Sequence, residues 1–462
     1  MTQELLSSKI KRLAFVSLLA FCLLPAYLGY WAVYRAPELR ADPHNQRATA
    51  RLQVTEPGRI LSSDSEEVLG REQEALGRWK RQYPSPRTYC HLTGYAPNTC
   101  LQRSLQDALF AAGAFEDPWA ALLKPQRVGN DVELTINANA QRAARRLLDG
   151  LRGAVVALNP RTGEVLVLAS APTYSPAEIS TDAEKAELFR TDPDSPELNR
   201  ALQGLYPPGS IFKLLTTAAA LDGAKISPGQ TYDCTGSITI EGHELHCRKA
   251  HGKLDLAHAV AESCNVYFAH VGETLGVAGL STYAEGTQVF QAPPLPLPAA
   301  ASRVTGSETD PLAAASMAMG QGSLLVTPFA AAQLAGAIAN RGLLMRPYIV
   351  KAVVSPEGRV LEHTQPVQVA QAFRSGTAQF LARTMELVVE AGTGVGAQAS
   401  TVRIAGKTGS AENPSGSPHA WFVAFAPVEA PRVAVAVVVE HGGTGAGAAL
   451  PIAREVIEEL LR

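Results

Sequence analysis

The chain has 462 residues, 46% hydrophobic and 18% charged, enough for one large core and a smaller domain. A net charge of −2 gives no basic excess for a nucleic-acid partner. There are no internal repeats, and the only biased tract is a Pro/Ala-rich patch from Gln291 to Ser302.

Leu13 to Val33 is an uncharged apolar run of roughly 21 residues, long enough to span a bilayer. Lys9, Lys11 and Arg12 precede it, which predicts a cytoplasmic tail (1–12), a transmembrane helix (13–34) and an extracytoplasmic remainder. A cleaved signal peptide is the competing reading. The run exceeds the usual apolar core of a signal, and no small-x-small cleavage site closes it. Pro25 reads as a tolerated kink.

Residues 35–130 mix Arg, Glu and Pro, with helical stretches expected over Ser65 to Gln82, and read as a non-catalytic pedestal. The main domain is expected over 131–462. It opens with a strand-like Val132 to Ile136 and a helix ending at Gly150. Ala154–Leu158 and Val165–Ala169, joined by Pro160-Arg161-Thr162-Gly163, predict a hairpin of buried strands. Helices are expected to dominate from Ser210 to about Asn340. Strands return at 403–408, 420–426 and 433–439, and a helix closes the chain from Pro451. Strands at both ends of a helical middle predict an α+β fold with one sheet assembled from distant segments.

Three short motifs carry the chemistry. In Ser210-Ile211-Phe212-Lys213, a helix opening at Ser210 would put Lys213 one turn away on the same face. A serine hydroxyl needs a base, and a lysine serves only when neutral. Burial and a second cation, for which Lys407 is the candidate, would lower its pKa and leave Lys213 neutral at rest. Ser263-Cys264-Asn265 adds a hydroxyl to relay a proton and an amide to clamp substrate. Lys407-Thr408-Gly409 adds a carboxylate anchor on a strand-like segment. Alone, each has a plain structural reading as a helix cap, a turn or a strand end. A second Ser-x-x-Lys, Ser8 to Lys11, precedes the apolar run and carries no chemistry. Together and in this order, the three equip a serine for attack on an amide through a covalent acyl intermediate.

Of six cysteines, Cys22 lies in the apolar run and Cys264 in the second motif. Cys90/Cys100 and Cys234/Cys247 remain as two close pairs, either disulfides or reduced thiols. A hairpin from Ile238 to His246, turning at Gly242, would bring Cys234 and Cys247 together. No Cys/His spacing of a metal site is apparent. His243, His246 and His251 read as polar surface on a loop, so neither metal nor cofactor is expected.

From Gly153 onward the chain resembles the class B, monofunctional penicillin-binding transpeptidases. The resemblance rests on Gly153–Glu164, Asn199-Arg200-Ala201, Tyr206–Lys213, Ser263-Cys264-Asn265, Gly320-Gln321-Gly322, Gly392-Thr393-Gly394, Gly406–Glu412 and Ala420-Trp421-Phe422. The preceding module looks like the pedestal of the short penicillin-binding protein A type, through Pro57-Gly58-Arg59-Ile60. The resemblance implies an antiparallel sheet flanked by helices plus a helical subdomain. It implies that Ser210 attacks the D-Ala-D-Ala end of a peptidoglycan stem peptide, with Lys213 as base, Ser263 as relay and Asn265 on the substrate amide. Lys407 and Thr408 would hold the carboxylate, and Gly409 would let substrate run along the strand. The Ser210 and Ser410 amides would form the oxyanion hole, and β-lactams would trap Ser210. Gly320-Gln321-Gly322 and Gly392-Thr393-Gly394 read as backbone turns without chemistry, and Trp421 as sheet packing. The segment before residue 131 is too short for a glycan-polymerising domain, which points to a separate membrane polymerase of the shape-elongation-division-sporulation type as partner. A D,D-carboxypeptidase or β-lactamase of the same fold, or a catalytically idle scaffold, is the rival reading.

Overall fold

The computed structural model describes residues 2–35, 55–74, 77–110, 128–304, 310–398, 402–413 and 416–462. The predicted apolar run, Leu13 to Val33, begins in helix α1 (Thr2–Gly29) and ends in the π-helical turn Tyr30–Tyr34 that continues it; within α1, Ile10–Gly29 is long and apolar enough to cross a membrane.

Two sheets organise the rest. The first has the order β13-β12-β4-β1-β2-β3. It joins β1 (Ile60–Leu61), β2 (Glu67–Gln73) and β3 (Trp79–Gln82) to β4 (Asp131–Leu134), β12 (Val350–Val354) and β13 (Val360–His363). The described residues of 65–82 are therefore mainly strand, Glu67–Gln73 and Trp79–Gln82, not the expected helix. Val68 and Leu69 are buried where β2 pairs with β1, so long-range pairing overrides the local Glu/Arg-rich helical preference. The sheet also draws strands from both sides of residue 131. Arg59 crosses that point, donating to the Asp131 carboxylate at 2.6 Å.

The second sheet has the order β15-β16-β17-β5-β6, antiparallel throughout. Its strands are β5 (Gly153–Leu158), β6 (Val165–Ala171), β15 (Ala405–Ala411), β16 (His419–Ala426) and β17 (Val433–Val439). Side chains alternate between faces along a strand, so an entirely apolar strand implies cover on both sides. In β17, Val433, Val435, Val437 and Val439 share a core with Ile452, Ala453, Val456 and Ile457 of the last helix, α7 (Leu450–Leu461). Helix α2 (Ala138–Leu147) completes that layer through Ala140 and Ala144. Ala434, Ala436 and Val438 face the other way, into the main core with Phe329 and Leu334 of helix α5 (Pro328–Ala339). The small residues of α5 let it approach closely: a Cβ on Gly336 would stand 3.7 Å from that of Ala434.

The helical middle holds α3 (Lys213–Asp222), α4 (Asn265–Gly286), α5 and α6 (Ser375–Glu390). Between α3 and α4 lie four short strands. β7 (Tyr232–Cys234) pairs with β10 (Gly252–Leu254), and β8 (Ser237–Ile240) with β9 (His243–His246). The β8–β9 turn is the expected one at Gly242. Glu241 and Gly242 both have positive φ, 49° and 81°, as a two-residue hairpin of matching twist requires. β11 (Leu343–Met345) and β14 (Gln368–Gln371) form a further pair.

All six cysteines are free in this structure, the reduced-thiol alternative for both pairs. Cys90 is buried with Tyr174, Ile179 and Phe189 and donates to the Arg87 carbonyl. Cys234 and Cys247 do approach, but with sulfurs 3.7 Å apart, far beyond the roughly 2.05 Å of a disulfide.

Candidate active site

Ser210 sits in a 3₁₀ turn, Gly209–Ile211, immediately before α3. The expected helix thus begins at Lys213, three residues later than predicted. Gly209 explains the delay. Its φ is +56°, and a Cβ on it would lie 2.6 Å from the Ser410 carbonyl oxygen. The nucleophile turn is pressed directly against β15. From the other side, the Gly209 N–H donates to Gly320 O at 2.9 Å. Gly320 has φ +86°, and a Cβ there would overlap the Gly209 carbonyl oxygen. Gly320-Gln321-Gly322 is therefore a turn, as predicted, and its tightness holds the Ser210 turn in place.

The approach to that turn is also fixed. Arg200, almost fully buried, donates to Glu440 Oε1 at 2.7 Å, and Tyr206 OH donates to the same oxygen at 2.8 Å. Trp421, fully buried on the sheet, donates its indole N–H to Pro207 O at 3.0 Å.

Lys213 and Lys407 are both 0% exposed, and they converge on one residue. Lys213 Nζ donates to Ser263 O (2.7 Å), Asn265 Oδ1 (2.7 Å) and Ser263 Oγ (3.4 Å). Lys407 Nζ donates to Ser263 Oγ (3.1 Å) and Thr408 O (3.0 Å). Ser263 has φ +58°, an unfavourable backbone conformation for a serine that is held by its surroundings. Cys264 is the N-cap of α4, its sulfur accepting from Tyr267 N, so Ser263 and Asn265 flank a helix start. Asn265 Nδ2 donates to His246 O at 2.7 Å, tying the motif to the end of β9.

Burial pushes Lys213 down to about 8; Cys264 and Cys247 oppose that shift and Arg248 adds to it. Lys407 is pushed well below its ordinary value, by burial and then by repulsion from Lys213. The shift of Lys213 has the expected direction; the cation that adds to it is Arg248 rather than Lys407.

A cleft of about 940 Å³ opens over these groups, lined among others by Ser210, Ser263, Asn265, Thr408, Gly409 and Ser410. Of the three motifs, Ser210, Ser263, Asn265, Thr408 and Gly409 line the cleft, and Lys213 and Lys407 reach it through the Ser263 hydroxyl. β15 is an edge strand open to an extended ligand, and Gly409 on it lines the cleft while its missing Cβ lets Ile211 and Trp421 pack within 3.0 Å of where it would stand. One residue read as a plain turn belongs to the site: Thr393 bonds Thr408 hydroxyl to hydroxyl at 2.6 Å and lines the cleft. Its threonine between two glycines was the available signal. The side chain of His251, read as polar surface, is instead covered, with only 4% of it exposed.

A model of the penicillin-binding protein transpeptidase domain matches residues 153–458. The chain belongs to the penicillin-binding protein transpeptidase family. Full-length relatives agree. A Mycolicibacterium smegmatis protein named peptidoglycan D,D-transpeptidase PbpA is 35% identical over 99% of this chain and 99% of its own. The Mycobacterium tuberculosis protein of the same name is 32% identical with the same coverage. Penicillin-binding protein A from M. tuberculosis, solved as a ceftriaxone acyl-enzyme complex, superposes with a TM-score of 0.83 at 32% identity, covering 89% of this chain and 99% of that one. The class B transpeptidase fold expected from the motifs is the fold observed.

Proposed function

We propose that this chain is a peptidoglycan D,D-transpeptidase that cross-links stem peptides through an acyl-enzyme on Ser210 and is acylated there by β-lactams. One observation carries the reading: two buried lysines converge on the Ser263 hydroxyl beneath a cleft that also holds Ser210. In this reading neutral Lys213 takes the Ser210 proton as Oγ attacks the penultimate D-Ala carbonyl. The Ser210 and Ser410 amides receive the developing oxyanion. Ser263 passes a proton to the departing D-Ala amine, and Lys407 is the reservoir behind it. Asn265 orients the substrate amide. Thr408, with Thr393 against it, binds the terminal carboxylate, and the peptide lies along Gly409. An acceptor amine from a second stem then takes the acyl group and frees Ser210. β-Lactams present the same amide in a ring, so their leaving group stays attached.

The wider reading rests on the sequence and the pedestal sheet. Helix α1, whose apolar stretch is preceded by Lys9, Lys11 and Arg12 in its first half, anchors the chain with its N-terminus in the cytoplasm. Residues 35–130 serve as a pedestal for the catalytic domain over 131–462. A separate membrane glycan polymerase of the shape-elongation-division-sporulation type supplies the strands to be cross-linked.

Fluorescent penicillin tests the central claim. The full chain in detergent should label stoichiometrically and the Ser210→Ala variant not at all. Label retained by Ser210→Ala would sink the assignment, and rapid release of penicilloate from wild type would replace transpeptidation with hydrolysis.

A further inference from the structure

Three cysteines and one histidine meet immediately behind the Ser263-Cys264-Asn265 motif. Cys234 ends β7, Cys247 follows β9, His251 precedes β10 and Cys264 caps α4. Their Sγ and ring-nitrogen atoms all lie within 4.8 Å of one another. The Cys234–Cys247 and Cys247–Cys264 sulfur separations are 3.7 and 3.8 Å, and Cys234 Sγ lies 3.3 Å from His251 Nδ1. A tetrahedral ion with metal–sulfur bonds of about 2.3 Å sets its sulfurs about 3.8 Å apart, and a nitrogen ligand slightly nearer.

We infer that Cys234, Cys247, His251 and Cys264 form a structural zinc site that fixes the Ser263/Asn265 motif to the hairpin beside it. The surroundings have the character of a metal–thiolate shell. Asn265 N and Val266 N point at Cys247 Sγ (3.1 and 3.4 Å), and Tyr267 N points at Cys264 Sγ. With His251 bound through Nδ1, its Nε2 faces the Glu262 carboxylate at 3.9 Å, on the side where a bound imidazole turns its remaining N–H. Cys234 and Cys264 are buried. A three-thiolate, one-imidazole set favours zinc over hard cations, and four protein ligands leave no open position for catalysis. Each cysteine loses its thiol proton as its sulfur binds, with no change of oxidation state. The ion's effect on chemistry is positional. It would pin the short strands from which His246 O receives the Asn265 amide.

The full chain, purified in detergent without chelator, should carry close to one zinc per protein by plasma mass spectrometry. Cobalt(II) exchange should give the visible bands of a tetrahedral, sulfur-rich site. Cys234→Ser and His251→Asn lie outside the acylation machinery, and each should lower retained zinc at least tenfold. Stripping the ion should lower the melting temperature and slow β-lactam labelling of Ser210, and zinc but not magnesium should restore both. Metal content below a tenth per chain without a tetrahedral cobalt spectrum would overturn the site. So would a Cys234–Cys247 disulfide recovered from protein handled without reductant. Metal content and cobalt spectra are read without β-lactam, so loss of Ser210 chemistry would not be mistaken for loss of the ion.

Discussion

The two walls of the cleft are built on different principles. The wall carrying Ser210, Lys407 and Thr408 is part of a three-layer platform. Every strand of the five-stranded sheet is largely buried, and the nucleophile turn is wedged between the peptide groups of Ser410 and Gly320. The opposite wall is a set of short strands, β7 to β10, in which only Cys234 and Ile240 are buried, with little apolar core of its own. The first wall is rigid because its two apolar faces are each covered. The second must be held by polar contacts, such as Asn265 Nδ2 to His246 O, and by whatever joins its cysteines. Acylation needs both walls in register, so the enzyme should respond differently when each is weakened.

The largest effect should come from Lys213, where the walls meet. Lys213→Ala should slow penicillin acylation by roughly 10²–10⁴-fold, the usual contribution of a positioned base. Lys213→Arg should do the same, and full acylation rates in that variant would remove Lys213 from its role. Next is the platform backbone. Gly320→Ala adds a methyl group against Gly209 at a positive φ, which should cost about 3 kcal/mol of stability and abolish labelling along with it, as thermal melts and fluorescent penicillin would show. A platform that tolerated this change would not be the rigid wall described here.

The pH profile tests the electrostatics joining the walls. Burial first, with Arg248 assisting and Cys264 and Cys247 opposing, places Lys213 at about 8, with Lys407 and the Phe268 ring also facing it. The base must be neutral, and the neutral fraction falls as pH falls. The second-order acylation rate should therefore drop about tenfold per unit below pH 8 and level off above it. A flat profile from pH 6 to 9 would contradict this. Thr393→Val removes one hydroxyl from the 2.6 Å contact with Thr408 and should weaken β-lactam acylation by about 1 kcal/mol with little change in melting temperature. Glu244→Gln, on the exposed face of β9, should shift stability by no more than about 0.5 kcal/mol. A larger loss would mean that the hairpin wall has a packed core after all.

Much of the platform was legible in the amino-acid order because its signals are local. The stretches at 154–158, 165–169, 420–426 and 433–439 are continuous apolar runs, an apolar run has few other places to go, and each lies within an observed strand. The hairpin at Gly242 was legible for the same reason. Residues 67–82 were not, because their fate depends on pairing with Ile60–Leu61. Neither was the late start of α3, which follows from Ser410 and Gly320 closing on Gly209.

By itself the sequence determined the chemical inventory: a serine, two lysines, an asparagine and two hydroxyl partners in an order that names a transpeptidase, behind a span-length apolar helix. Tertiary structure alone decided what those groups are. Lys213 and Lys407 stand 194 positions apart, and only folding buries both on one serine hydroxyl and lowers their affinity for protons. His251 read as surface because a histidine's partners are not written beside it. Burial and proximity are properties of the folded chain, and here they gather three sulfurs and a ring nitrogen at metal-binding distances behind the second motif.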